Sequence, residues 1–174
     1  MKKLLGSLAL ASMVLASSAA AEDKMMVGAG YTYDHIGAYG LGFGVHGFAL
    51  DFAWQGDPVG VVTTYAYHTK KAVVDKVKGR ISGHRFLVGP SYAFDDMLSS
   101  YAQLGFGSYN VYADTTDDTN KVTRESASGM SFNYAVGLMV NPMDSLSITV
   151  GYQGGLIKGG LKSNGVKVGA GFRF

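Results

Sequence analysis

Four histidines, His35, His46, His68 and His84, and a basic cluster, Lys70, Lys71, Lys76, Lys78 and Arg80, are the groups in this sequence best equipped for chemistry. A histidine can serve as a general base or a metal ligand. The first role needs a nucleophile or water held within hydrogen-bond reach, and the second needs further ligands at a suitable spacing. No Ser or Asp stands beside these histidines in a recognisable catalytic arrangement, and their spacing is not that of a metal site, so each reads as a rim or loop residue. The basic cluster lies in TKKAVVDKVKGRISGH (69–84), where only Asp75 opposes it. ADTTDDTNKVTRE (113–125) has the reverse balance, with Asp114, Asp117, Asp118 and Glu125 against Lys121 and Arg124. Either the two segments are solvated and attract each other, or the basic one meets anions such as lipopolysaccharide phosphates or sulfated host glycans. Contacts of the second kind weaken with salt.

A third set, Asp51, Arg85, Gln103, Asn133, Gln153, Lys167 and Arg173, consists of polar residues wedged between bulky apolar ones. What positions them is a strict alternation. In SLSITVGYQ (145–153), Leu146, Ile148, Val150 and Tyr152 alternate with Ser, Thr, Gly and Gln. A strand places the two sets on opposite faces, which no helix does. GFALDFAWQ, MSFNYAVGLMVN, HRFLVGPSYAF, YAQLGFG, VGVVTTYAYH, VGAGYTYD and the closing VKVGAGFRF repeat the pattern, predicting eight strands. Pro90, inside one of them, lacks a ladder N–H and predicts a bulge or local distortion. Segments 55–59, 95–98 and 141–145 are short turns, whereas 35–45, 69–83, 112–129 and 156–165 read as long connections.

The opening MKKLLGSLALASMVLASSAAAED has a charged start, a short apolar run and the small-residue sequence Ala19-Ala20-Ala21, the build of a secretory signal peptide spanning 1–21. Residues 22–174 then form one domain, with 13 basic and 13 acidic residues once Lys2 and Lys3 are removed. That balance gives no reason to expect nucleic acid as a partner. The absence of cysteine excludes a disulfide framework. The 25 glycines are scattered through the apolar runs, which suits closely packed curved strands better than helices.

Alternation alone does not say what the apolar face touches. A soluble barrel needs its bulk inside, yet here the face opposite the bulk is Gly, Ala, Ser and Asn with single charges. Aromatics also gather towards the strand ends, Trp54, Phe94, Phe172 and Phe174 at one and Tyr33, Tyr67 and Tyr152 at the other, as at the two membrane interfaces. The fold expected is therefore all-β: an eight-stranded antiparallel up-and-down transmembrane β-barrel. The third polar set then faces the lumen. An interior this narrow is filled by side chains, so the set reads as a paired plug, with Asp51 against one of the arginines, in preference to a pore or proton path.

PMDSLSITVGYQG, VGPSYAFDD, GDPVGVVTTYAYHTKK and the terminal VGAGFRF resemble the OmpX/Ail/Lom family of enterobacterial outer-membrane proteins across the whole mature chain. The resemblance implies a Gram-negative outer-membrane barrel with surface-exposed loops, acting in adhesion to host cells, invasion and resistance to complement. The implied partners are outer-membrane lipid and lipopolysaccharide, together with host extracellular-matrix or complement proteins or sulfated glycans; no cofactor or catalysis is expected. A barrel serving only envelope integrity is the alternative, ahead of a narrow channel or a lipid-modifying enzyme.

Overall fold

The computed structural model describes residues 24–174 except 39–40, 75–76, 117–121 and 158–160, so the signal segment lies outside the described residues. Eight antiparallel strands close into a barrel in sequence order: β1 (Lys24–Ala38), β2 (Leu41–Gln55), β3 (Val59–Val74), β4 (Val77–Ala93), β5 (Leu98–Thr116), β6 (Val122–Met143), β7 (Leu146–Ile157) and β8 (Leu161–Arg173). The seam between β1 and β8 runs in continuous register from Met26↔Arg173 to Gly37↔Lys162. It is locked at its end by a reciprocal pair of backbone bonds between Met25 and Phe174, each 2.9 Å.

The expected face assignment holds. Leu50, Phe86, Leu104, Phe106, Leu138, Val150, Val168 and Phe172 are among the exposed apolar side chains on the outer wall. Burial of the alternate residues is nearly strict along β8. Tyr92 and Phe94 meet edge-on at 5.4 Å, and Phe172 stacks with Phe174 at 6.2 Å, at the short-turn end. Tyr33, Phe48 and Tyr67 form the corresponding belt towards the other end, where the Phe48 and Tyr67 rings lie 5.8 Å apart.

One expectation needs correction. The segments read as long connections are mostly strand, and alternation hid this. Above the membrane the outer face no longer has to be apolar, while inward positions such as Ile36, Ile81 and Val111 become so. The ladder nevertheless continues, because each backbone group still needs a partner. Pairing of β2 with β3 ends at His46↔Thr69, and that of β6 with β7 ends at Ser131↔Ile157. Strands β3 to β6 run on as a four-stranded sheet to Val74↔Val77 and Thr116↔Val122. The extension is five residues on β3 and nine on β6, roughly 15–30 Å of strand at ~3.3 Å per residue. The local distortion expected at Pro90 is present: at Gly89 and Pro90 the pairing with β5 lapses without a change of register, and a bulge falls separately between Val140 and Met143, around Pro142.

Candidate functional site

The lumen is layered. Nearest the short turns, Met26, Ala53, Val62, Tyr101 and Met139 form a small apolar cluster. Above it Lys167 Nζ donates to Asp51 Oδ1 at 2.7 Å and to Thr64 Oγ1 at 3.2 Å, and the Thr64 hydroxyl donates to Asp51 at 2.6 Å. Gln103 Nε2 donates to the Val62 carbonyl at 3.0 Å. Lys167 and Asp51 are almost wholly buried. Asp51 thus pairs with a lysine and not with an arginine, because β8 and β2 bring Lys167 across the lumen while Arg85 sits nearer the mouth.

Arg85 instead meets Asp34, a residue the sequence reading did not place in the lumen. The Asp34 carboxylate lies 2.6 Å from His68 Nε2 and 3.4 Å from Arg85 Nη2, and accepts from Gln153 Nε2 at 3.1 Å on both oxygens. A signal was available, since Asp34 shares the parity of Gly28, Gly30 and Thr32 on β1. His68 is likewise no solvated rim residue but is buried in the lumen. Asn133 is buried with its amide donating to Ser131, and Arg173 closes the short-turn end beside Lys24, Asp96 and Asn141.

Glycines on the inner wall make this packing possible. A Cβ on Gly165 would collide with the Asp34 carboxylate, and one on Gly137 or Gly151 with the Tyr101 phenol. Side chains of this size fit an eight-stranded lumen only where the opposite wall carries no side chain.

The histidines do not assemble a catalytic set. Thr32 Oγ1, at 2.9 Å, and Asp34 converge on the same His68 nitrogen, Nε2. A nucleophile–base–carboxylate relay requires one partner on each ring nitrogen. His46 and His84 sit on the outer wall among tyrosines, His46 against Tyr31 and Tyr33 and His84 with Tyr65 at 2.7 Å. His35 is exposed. Among the described residues no three His, Asp or Glu side chains could hold a metal ion.

The basic set divides. Lys70 Nζ stands 5.5 Å over the Phe43 ring and Arg80 is exposed. The side chains of Lys71 and Lys78 and the whole of Lys76 lie outside the described residues. Backbone register sets Lys71 opposite Arg80, and aligns Lys78, Asp114 and Arg124 across three strands.

The model of the outer membrane protein beta-barrel domain matches residues 6–174. The chain belongs to the OmpX/Ail/Lom family of outer-membrane β-barrels. It is 25% identical to the virulence membrane protein PagC of Salmonella typhimurium over 98% of both chains, and 27% identical to outer membrane protein X of Enterobacter cloacae over 88% of both. The crystal structure of Ail, the attachment invasion locus protein of Yersinia pestis, in complex with the heparin analogue sucrose octasulfate superposes with a TM-score of 0.78 at 22% identity, covering 88% of this chain and 99% of that one. Like these relatives, the barrel is a protein of the Gram-negative outer membrane. Its short turns face the periplasm and its tall hairpins the outside, as in bacterial barrels generally.

Proposed function

We propose that the protein is a surface adhesin whose projecting β3–β6 sheet binds sulfated host glycans and proteins that carry them, without catalysis. The observation that carries this reading is the extension of β3 and β4 into one tall hairpin bearing Lys70, Lys71, Lys78 and Arg80. Cations raised above a membrane on a stiff sheet meet a polyanion before the lipid headgroups do, and several weak contacts on one chain add by avidity. The complex of the related Ail with a heparin analogue supports the same chemistry. Asp114, aligned with Lys78, tempers the charge and leaves the Lys70–Lys71–Arg80 side as the more cationic part.

The test is attachment of bacteria expressing the protein to immobilised heparin, laminin and fibronectin. Replacing the five basic residues by Gln should abolish attachment to heparin, and raising salt from 50 to 500 mM should weaken it steeply for the native protein. Attachment that survives both changes would overturn the role of the cationic hairpin, and no attachment by the native protein would assign the barrel to envelope integrity instead.

A further inference from the structure

The outer wall carries one small construction twice. On β1, Tyr31 and Tyr33 face His46 of β2; on β3, Tyr65 and Tyr67 face His84 of β4. The second tyrosine of each pair lies directly opposite the histidine in register, with ring centres 5.1 Å and 4.9 Å apart. The hydroxyl of the first meets the histidine's Nδ1, at 2.7 Å for Tyr65 and His84. A phenol donating to Nδ1 leaves the ring hydrogen on Nε2, the nitrogen turned away from that tyrosine. Both histidines are exposed, so each construction offers a donor at an open surface. An aromatic belt needs only amphipathic rings; a repeated histidine with a set tautomer is more than a belt requires. On the far half of the barrel, Tyr152 of β7 shares the ladder row of Tyr33, but its neighbours across both ladders are Val136 and Val166, and its hydroxyl donates to Asn164 at 3.0 Å. The acidic residues described on β1 to β4 are Asp34 and Asp51, both buried in the lumen, and the charge described farther out on this wall is Arg80.

We propose that the β1–β4 wall holds one outer-leaflet lipid carrying two phosphates on a single sugar backbone, the headgroup chemistry of lipid A. One phosphate accepts from Nε2 of His46 and the other from Nε2 of His84. The histidines stand two strands apart, roughly 10 Å at ~4.8 Å per strand. Two phosphates at the ends of a disaccharide bridge that span, and one phosphate does not. Phe48 and Tyr67, with ring centres 5.8 Å apart, form the floor between them, and Leu50, Phe52 and Phe86 continue the wall towards the acyl chains. Exposed donors with no carboxylate on their face favour an anionic acceptor, and an N–H bond to a charged acceptor is the stronger kind. The site uses none of Lys70, Lys71, Lys76, Lys78 and Arg80, so it stands or falls separately from adhesion.

Native mass spectrometry of the barrel in non-ionic detergent tests it, with lipid A, monophosphoryl lipid A and phosphatidylglycerol as probes at equal concentration. Lipid A should form a one-to-one adduct about fivefold or more in excess of either competitor, as one added charge-assisted hydrogen bond at a wet interface allows. His46→Phe or His84→Phe alone keeps a ring in the wall. Each should bring lipid A to within about twofold of monophosphoryl lipid A, because the one remaining donor serves both lipids equally. Tyr152→Phe, at the same height on the far wall, should leave the preference unchanged, as should Gln at the five basic positions of the hairpin. If a histidine variant does not fold, judged by gel mobility before and after boiling, Tyr31→Phe and Tyr65→Phe decide the matter, since each frees Nδ1 and with it the tautomer and should lower the preference. Equal binding of lipid A and monophosphoryl lipid A by the native barrel overturns the two-point site. A preference that persists when both histidines are replaced overturns their role. A loss in Tyr152→Phe as large as in His46→Phe also overturns the site, in favour of the belt as a whole.

Discussion

Lys167→Met isolates the plug. In the native barrel Lys167 and Asp51 are 2% and 3% exposed, with Nζ and Oδ1 2.7 Å apart. The variant keeps most of the side-chain volume but strands a buried carboxylate whose one remaining donor is the Thr64 hydroxyl. It also removes the ammonium that lies 5.2 Å from the Tyr101 ring. Removing one partner of a buried pair typically costs about 3–5 kcal/mol, most of it from the uncompensated charge left behind. Neutralising the other partner removes that penalty. Asp51→Asn combined with Lys167→Met should therefore recover to within about 1–2 kcal/mol of the native protein, a coupling that non-contacting residues do not show. Urea transitions of the barrel in phospholipid vesicles, followed by the fluorescence of its one tryptophan, Trp54, measure both variants. A single variant within about 0.5 kcal/mol of the native protein, or a double variant that loses the sum of the singles, would show that the pair does not hold the lumen together.

Leu138→Arg puts a charge on the lipid-facing wall between Ser100 and Val150 and should cost about 2–4 kcal/mol in the same unfolding assay. Gln103→Arg should be comparably harmful even though it faces the lumen, since Gln103 is packed against Thr64 and bonded to Val62; free tolerance there would mean a roomier interior than the structure has. Gly151→Val drives a side chain into the Tyr101 phenol and should destabilise by about 1–3 kcal/mol, read as a lower urea midpoint. In planar bilayers the native protein should give no steady ion conductance, because Lys167, Asp51, Gln103 and Tyr101 occlude the middle of the lumen; reproducible open levels would refute the plug.

Where the lipid is, the sequence was transparent. Leu146, Ile148 and Val150 had to face hydrocarbon and their neighbours could not, so strands and faces followed from a period of two. Beyond the hydrocarbon that constraint lapses, and the tall halves of β3 to β6 were read as loops although their backbone pairing never stops. Lumen membership of Asp51, Arg85, Gln103 and Lys167 was legible from parity alone. Their partners were not, because the Lys167–Asp51 contact depends on barrel closure between residues 116 positions apart. His68 was misjudged because a polar residue near a strand end looks wet in sequence, whereas the barrel wall continues past it.

The seam has a consequence for assembly in the bilayer. Asp51 comes from the second strand, while its neutralising partner, Lys167, arrives with the last. A curved sheet caught short of closure would hold that bare carboxylate against acyl chains, a state of high energy with no local remedy. Insertion of this chain is therefore driven towards completion by its own buried ion pair. Whatever delivers it to the membrane must keep the unfinished concave side wet until the eighth strand docks on the first.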